Sequence, residues 1–285
     1  MSSLLQAGQS ISECQASRAL DLLELRMLIM HVCGLSRIQL ITQDQRQLTV
    51  AEAAQLNDLI AARQRGQPMA YLLGSREFFG LNFLTNPAVL IPRPDTELLV
   101  ELVLQQAAAG ARVLDLGTGS GAIAIALAHS RADLQITAVD FSASALAVAQ
   151  QNAHQLIPEA VASGRFKLQL SDWFAQIEAQ QFDLIVSNPP YIEANDEHLQ
   201  QGDLRFEPST ALTDGADGLT AYRHIINAAP AWLASPGQIY FEHGYNQAAA
   251  VRSLLQQAGF NAVQSWHDLA QIERVSGGVW VQHDD

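Results

Sequence analysis

Apolar residues along the first part of the chain recur at helical spacing. The stretch ALDLLELRMLIMHVCGL is apolar on nearly all sides and ends at Gly34, which predicts a buried helix. The next such stretch, TVAEAAQLNDLIAARQRG, opens with Thr49 and Glu52 at the spacing of a capping box. This block offers no group of polar residues suited to chemistry. We therefore interpret residues 1–75 as a small all-helical domain for packing or partner recognition.

Two short strand-like runs follow within residues 76–96. Positions 79–83 and 88–91 are separated by a Thr-Asn-Pro sequence, which predicts a β-hairpin. Two prolines then break the pattern, and Asp95 or Thr96 is placed to cap the next helix. We expect a hairpin and linker here, followed by a larger domain over residues 97–285.

Strand-like runs and helical stretches alternate over the rest of the chain. The runs lie at 113–116, 136–139, 166–170, 182–186 and 237–244. Helical patterns lie at 121–130, 142–156 and 246–260. This alternation is typical of βαβ units, so it predicts a doubly wound α/β fold with a mostly parallel sheet and helices on both faces. Weaker strand signals in 261–281 predict a pair of strands that closes one edge of the sheet.

Composition and charge narrow the class of protein. The 285 residues carry a net charge of −13, which argues against the extended basic face of a duplex-DNA-binding protein. Two cysteines, Cys14 and Cys33, do not make a disulfide framework. No apolar run reaches the roughly 20 residues of a membrane span, and the first residues do not resemble a signal peptide. We expect a soluble cytoplasmic protein that binds neither DNA nor membranes.

A glycine-rich turn between the strand at 113–116 and its helix predicts a nucleotide site. The turn comprises Gly117, Thr118, Gly119, Ser120 and Gly121. Its glycines allow a tight turn and a close approach of the ligand to the backbone. Gly117, Gly119 and Ala122 fit the dinucleotide fingerprint G-x-G-x-x-A, and the same turn fits the G-x-G-x-G of S-adenosylmethionine-dependent methyltransferases. The turn alone leaves both cofactors open.

Polar and aromatic residues at two further strand ends complete the predicted crevice. Asp140 follows the strand at 136–139, where a carboxylate can accept hydrogen bonds from both hydroxyls of a ribose. Capping of the helix that begins near Ser142 is the alternative role. Asp172 and Trp173 follow the strand at 166–170 and can contact an adenine, although Trp173 can also be a core aromatic residue.

The sequence SNPPYI at 187–192 ends a core strand with an amide, two prolines and an aromatic ring. A methyltransferase that acts on a planar amide or amine nitrogen needs acceptors for the N–H groups, because the delocalised lone pair makes this nitrogen a poor nucleophile. Asn188 offers a side-chain carbonyl and Pro189 a backbone carbonyl, and the prolines hold both rigid. Tyr191 can wall the pocket or stack on a planar substrate.

This chemistry requires neither a metal nor a strong general base. The eight histidines are scattered, and no two of them are spaced as i, i+4, so the sequence predicts no metal site. His243 can line the crevice, but we interpret it as a structural histidine.

The chain resembles the bacterial peptide chain release factor N5-glutamine methyltransferases, the HemK/PrmC family. The resemblance covers nearly the whole chain and rests on REFFGLNF, VLIPRPDTE, VLDLGTGSGAIAIAL, SNPPYI, RFEPSTAL and EHG. NPPY alone is shared with adenine and cytosine amino-methyltransferases. IPRPDTE together with NPPYI is much more specific.

The resemblance implies a seven-stranded Rossmann-like methyltransferase domain with S-adenosylmethionine as cofactor. It implies that the protein methylates the glutamine in the Gly-Gly-Gln motif of class-1 release factors. This methylation modulates translation termination. We expect the protein to be a monomer. The residues implied to hold the cofactor are Gly117, Thr118, Gly119, Ser120, Gly121, Asp140, Trp173 and Asn188. Those implied to hold the substrate amide are Asn188, Pro189, Pro190 and Tyr191, of which Asn188, Pro189 and Tyr191 are the expected catalytic residues. The segment 92–94 looks like one that lies over the site.

Other functions remain as alternatives. The nearest is an N5-glutamine methyltransferase of a ribosomal protein, which shares NPPY. A nucleic-acid amino-methyltransferase fits less well, because the chain is acidic and has no Lys/Arg clusters. A nicotinamide enzyme and a cofactor-binding module without catalysis are the remaining candidates.

Overall fold

A computed structural model describes residues 5–282 and divides the chain into two compact units. The first unit ends at Gly74, and the second begins at Ser75. Among the helices of residues 5–282, none is both long enough and apolar enough to cross a membrane.

The first unit is helical, as predicted. Its helices are α1 (Ile11–Ala16), α2 (Leu22–Cys33), α3 (Arg37–Thr42), α4 (Val50–Gln64) and α5 (Met69–Leu73). Gly34 ends α2 in the left-handed conformation, at φ +63°, and Thr49 and Glu52 form the predicted capping box of α4. Apolar side chains from α1, α2 and α4 are buried together in a core of this unit's own.

The hairpin lies earlier in the chain than the sequence pattern predicted. Strands β1 (Ser75–Phe78) and β2 (Leu81–Leu84) pair antiparallel around a two-residue turn. Phe79 and Gly80 both have positive φ, which a tight hairpin turn of this kind requires. The predicted run at 79–83 overlaps β2, but the predicted pairing of this run with a strand at 88–91 was wrong. Residues 88–91 form no strand; instead, the N–H of Ile91 donates to the Glu207 carboxylate at 2.9 Å.

The remaining elements alternate as predicted. The strands are β3 (Arg112–Leu116), β4 (Gln135–Asp140), β5 (Phe166–Leu170), β6 (Phe182–Ser187), β7 (Leu233–Glu242), β8 (Asn261–His267) and β9 (Glu273–Trp280). The helices are α6 (Glu97–Gln106), α7 (Ala122–Ser130), α8 (Ala143–Leu156), α9 (Pro158–Ala162), α10 (Ser209–Leu212), α11 (Thr220–Ala228) and α12 (Ala248–Gln257). Short 3-10 turns lie at Pro94–Thr96, Glu197–Gln200, Leu204–Phe206 and Ala229–Ala231.

The seven strands form one sheet in the order β5-β4-β3-β6-β7-β9-β8. The pairs from β5 to β7 are parallel, and β9 is antiparallel to both β7 and β8. This confirms the doubly wound, mostly parallel sheet and the pair of strands at its edge. Side chains of β3 alternate between two cores: Val113 packs with α6 and α7, and Leu114 packs with α11 and α12.

The sheet order positions the site. The chain proceeds outward from β3 through β4 to β5 and then returns to β6 on the other side of β3. In open α/β sheets, ligands bind outside the carboxyl ends of the strands where the order reverses in this way. The loops that follow β3, β4 and β6 therefore form the expected crevice.

Candidate functional site

A cavity of about 280 Å³ lies at the carboxyl ends of β3, β4 and β6. Its volume is close to the lower end of the range for small-molecule sites, about 300–1,000 Å³. The predicted site residues that line it are Gly117, Gly119, Asp140, Trp173, Asn188 and Pro190. The structure thus brings together residues from four loops that are distant in sequence.

The glycine turn is fixed by the neighbouring strand. The N–H groups of Gly117 and Thr118 both donate to the carbonyl of Val139 at 2.9 Å. Gly121 has a φ of +84°, and a Cβ there would lie 2.7 Å from Cδ1 of Ile125. Only glycine therefore suits the start of α7.

The two polar residues of the turn make contacts inside the protein. Thr118 donates its hydroxyl to Oδ2 of Asp115 at 2.6 Å, and the carbonyl of Ser120 accepts from Asn152 at 2.9 Å. Thr118, Ser120 and Gly121 lie next to the cavity in sequence but are not among the residues that line it. The contacts of Thr118 and Ser120 shape the turn that carries Gly117 and Gly119 to the cavity.

Asp140 combines a structural role with exposure to the cavity. Its Oδ2 accepts the N–H of Gly119 and its Oδ1 accepts the N–H of Ser142, each at 2.9 Å. Burial raises the pKa of Asp140, while the backbone N–H groups of Ser142, Gly119 and Phe141 lower it. A carboxylate has about four lone-pair positions, so two acceptor sites remain for a ligand. Ser142 itself caps α8 through its own side chain.

Asp115 is a second carboxylate beside the turn. It is fully buried, and its Oδ1 has no hydrogen-bond partner within residues 5–282. Burial raises the pKa of Asp115 to about 7, and the nearby charge of Asp140 adds to this increase. Nothing in the sequence distinguishes Asp115, because it lies within an apolar strand.

Aromatic rings form one side of the cavity. Trp173 lies close enough to the turn that a Cβ on Gly117 would be 3.7 Å from its ring. Phe141, which the sequence analysis did not single out, is 56% exposed and also lines the cavity. An exposed ring beside a polar cleft can pack on a planar ligand. Asp172 is exposed and does not line the cavity, so the structure does not place it beside the turn.

Asn188 lies at the cavity edge with its amide nitrogen turned into the protein. Its Nδ2 donates to Oγ1 of Thr96 at 3.3 Å. Within residues 5–282, neither Oδ1 of Asn188 nor the carbonyl of Pro189 has a hydrogen-bond partner. These are the two acceptors that the sequence pattern predicted.

Thr96 does not cap the helix as the sequence analysis allowed. It precedes α6 directly, but its side chain makes no cap hydrogen bond. Its hydroxyl instead contacts Asn188, which is 92 positions away in sequence.

The rest of the NPPY segment is divided between two sides. Pro190 lines the cavity, and Pro189 is buried. Tyr191 packs on the core around α11 and lines a different cavity, of about 220 Å³, that includes Arg274. Its backbone carbonyl accepts from Gln247 at 2.9 Å, and burial raises the pKa of its hydroxyl. A catalytic role for Tyr191 remains a prediction.

A buried carboxylate that the sequence analysis did not single out joins two segments of the cavity wall. Glu207 accepts the N–H of Ile91 and forms an ion pair with Arg93, and the side chain of Glu207 is completely buried. Residues 87–90 and Pro208 line the cavity on either side of these contacts. The motif RFEPSTAL contained the signal, a lone acidic residue before a proline, but its partners are more than 100 positions away in sequence.

The structure shows no clustering suited to a metal among the residues it describes. No three His, Cys, Asp or Glu side chains there are placed so that they could hold a metal ion. His243 is buried and contacts Ser276 at 2.8 Å, which fits a structural role, and His283 lies outside the described residues.

Two family models match the chain. The one described as "Methyltransferase small domain" matches residues 92–209, and the one described as "PrmC N-terminal domain" matches residues 5–74.

Curated relatives match over nearly their full length. The release factor glutamine methyltransferase of Burkholderia pseudomallei is 49% identical over 270 residues, which cover 94% of this chain and 95% of the relative. The one of Bordetella pertussis is 51% identical over 271 residues, covering 94% and 98%. The one of Escherichia coli is 43% identical over 275 residues, covering 96% and 97%.

Solved structures share the fold. A methyltransferase from Pyrococcus furiosus is 15% identical, with a TM-score of 0.54, and the match covers 78% of this chain and 98% of that one. A 16S rRNA N2 G1207 methyltransferase of T. thermophilus, solved with AdoMet and guanosine, is 22% identical with a TM-score of 0.50. That match covers 72% of this chain and 49% of the other.

Proposed function

The chain belongs to the release factor glutamine methyltransferase family, and we propose that it methylates the glutamine N5 in the Gly-Gly-Gln motif of class-1 release factors. As a member of this family it is a methyltransferase that uses S-adenosylmethionine. The proposed reaction modifies the side-chain amide and thereby modulates translation termination.

The residues of the cavity suit S-adenosylmethionine. Two acceptor positions of Asp140, which lines the cavity, remain for ribose hydroxyls. Trp173 and Phe141 offer aromatic surface to the adenine or to a cation. When bound, S-adenosylmethionine supplies an electrophilic methyl group on a positively charged sulfur. We propose that Gly117, Thr118, Gly119, Ser120, Gly121, Asp140, Trp173 and Asn188 hold it.

The pair of free acceptors at the end of β6 carries the proposal of an amide substrate. Oδ1 of Asn188 and the carbonyl of Pro189 can each accept one N–H of a primary amide. Holding both N–H groups orients the nitrogen and draws electron density towards it. Because Asn188 and Pro189 are rigidly held, the ordering cost is met during folding.

The domain roles belong to the same proposal. We propose a helical domain over residues 1–75 for substrate recognition, a hairpin and linker over 76–96, and a methyltransferase domain over 97–285. Release factors act on cytoplasmic ribosomes, which supports a cytoplasmic enzyme, and we propose that it works as a monomer. We propose that Pro190 and Tyr191 complete the substrate site.

A panel of acceptors tests the substrate. The protein is incubated with methyl-labelled S-adenosylmethionine and a class-1 release factor, a ribosomal protein extract or RNA. We expect label only in the release factor, and none when its Gly-Gly-Gln glutamine is replaced by alanine. Preferential labelling of ribosomal protein or RNA would contradict the proposal.

A further inference from the structure

Glu242 is a buried carboxylate to which the mechanism above gives no role. It is the last residue of β7 and is only 2% exposed. In the parallel pairing of β6 with β7, Ser187 lies beside Phe241. Asn188 and Glu242, the next residues along the two strands, therefore lie side by side at the same end of the sheet.

Polar contacts join this carboxylate to the substrate site. The hydroxyl of Thr96 and the side-chain amide of Asn188 are the donors that face this carboxylate. Asn188 also donates to Thr96 at 3.3 Å. The hydroxyl of Tyr222 donates to the backbone carbonyl of Glu242 at 2.8 Å, which fixes the end of the strand.

This environment is costly for a charge. Burial raises the pKa of Glu242 to about 7, although the donors Thr96 and Asn188 lower it. The charges of Asp95 and Arg274 act in opposite directions. The Oε2 atom has no hydrogen-bond partner within residues 5–282. An apolar residue of the same size would often be at least as stable here, so stability alone does not explain the carboxylate.

The direction of the hydrogen bonds gives the carboxylate a role. In its ionised form the Glu242 carboxylate only accepts, so the single hydrogen of the Thr96 hydroxyl then points at Glu242. The Thr96 oxygen can then only accept a further hydrogen bond. The Asn188 side chain must therefore donate to this oxygen through its NH2 group. This turns Oδ1 of Asn188 away from the protein interior.

We propose that Glu242 is a positioning residue for methyl transfer, which acts through Thr96 to fix the amide orientation of Asn188 so that Oδ1 accepts from the substrate. The inference rests on the proposed function, because only a substrate that donates N–H groups needs this orientation. Without the carboxylate, the Thr96 hydroxyl is free to donate to Oδ1, and the amide of Asn188 can flip and offer a donor.

A double-mutant cycle tests the role. Glu242→Met removes the acceptor while keeping the size of the side chain. We expect kcat/KM for release factor methylation to fall about tenfold in the wild-type background but to change less than about twofold in an Asn188→Ala background. The cofactor Kd and the melting temperature should stay close to those of an exposed control, Glu101→Met. Equal losses in both backgrounds, or no loss in either, would overturn the proposal.

A donor–acceptor exchange decides the matter if Glu242→Met fails to fold. Asn188→Asp places two carboxyl groups together and removes the NH2, so activity should fall strongly. Adding Glu242→Gln supplies an amide that can donate to the new carboxylate, which still presents an oxygen to the substrate. We expect the double variant to be about tenfold faster than Asn188→Asp alone. A double variant no faster than Asn188→Asp would overturn the proposal. If the wild type itself does not methylate release factor, the proposed function fails instead.

Discussion

At the scale of single residues, the site depends on where hydrogen-bond acceptors are left free. Asn188 commits its NH2 to Thr96, and its Oδ1 has no partner within the described residues. Each carboxylate oxygen of Asp140 accepts one backbone N–H, which leaves one lone pair on each oxygen for a ligand. The acceptors that remain match the hydroxyls of a ribose and the N–H groups of an amide.

Replacement of Asn188 by alanine should remove one acceptor of the substrate amide without disturbing the fold. We expect kcat/KM for methyl transfer to fall about a hundredfold or more, or about 3 kcal/mol of transition-state stabilisation. Steady-state kinetics with labelled cofactor measure this, and the exposed Asn195→Ala is the matched control. Near-normal turnover of Asn188→Ala would contradict the mechanism.

Replacement of Asp140 by alanine should act on the cofactor. The loss of charge-assisted hydrogen bonds should weaken binding by about 1.5–3 kcal/mol. Calorimetric titration with S-adenosylmethionine measures the Kd, and Asp172→Ala, at an exposed position off the cavity, is the control. An unchanged Kd would leave Asp140 with only its backbone contacts to Gly119 and Ser142.

The sequence predicts these two residues because each follows an apolar strand. It does not predict Thr96 or Glu242 as parts of the site. Thr96 has the pattern of a helix cap, and its partner Asn188 is distant in sequence. The proximity of Glu242 to Asn188 can be recognised only once β7 is known to lie beside β6.

At the scale of elements, the buried parallel strands were predictable because each is a short, nearly continuous apolar run between turn signals. The hairpin was not, because two neighbouring runs offered different pairings. The turn at Phe79 and Gly80 selects one pairing, and Ile91 is held by a side chain rather than by a strand. The backbone N–H of Ile91 thus donates to the distant carboxylate of Glu207 and not, as the sequence pattern predicted, to a neighbouring strand.

Glu207→Gln tests whether this contact shapes the cavity. The substitution removes the ion pair with Arg93 and weakens the bond to Ile91, so residues 87–90 and 208–211 lose a shared anchor. We expect cofactor binding about tenfold weaker and faster proteolysis within residues 193–218. Calorimetry and limited proteolysis measure the two effects, with the exposed Glu193→Gln as the control. If the two variants behave alike, the Glu207 contacts do not shape the cavity.

At the scale of the whole molecule, the net charge of −13 is the property with the clearest consequence for association. An acidic enzyme attracts a substrate that presents basic surface, and salt screens such attraction over about 10 Å at 0.1 M ionic strength. The charge was fully readable from the sequence. The surface that meets the partner was not, because it depends on which side chains the fold exposes together.

Ionic strength should therefore separate recognition of the protein substrate from the chemistry. We expect the association rate with release factor to fall as salt increases, by several-fold between about 50 and 500 mM. Methylation of a short, uncharged Gly-Gly-Gln peptide serves as the control and should change little. A salt-independent association rate would rule out electrostatic steering.

The position of the transferred methyl group shows whether the protein acts on the glutamine side chain of a release factor. A class-1 release factor is methylated by the purified protein with S-adenosylmethionine and digested, and its peptides are sequenced by tandem mass spectrometry. We expect one added methyl group on the side chain of the glutamine in Gly-Gly-Gln, and about a hundredfold less of this product with Asn188→Ala at matched times. A methyl group on any other residue, or an unmodified release factor, would contradict it.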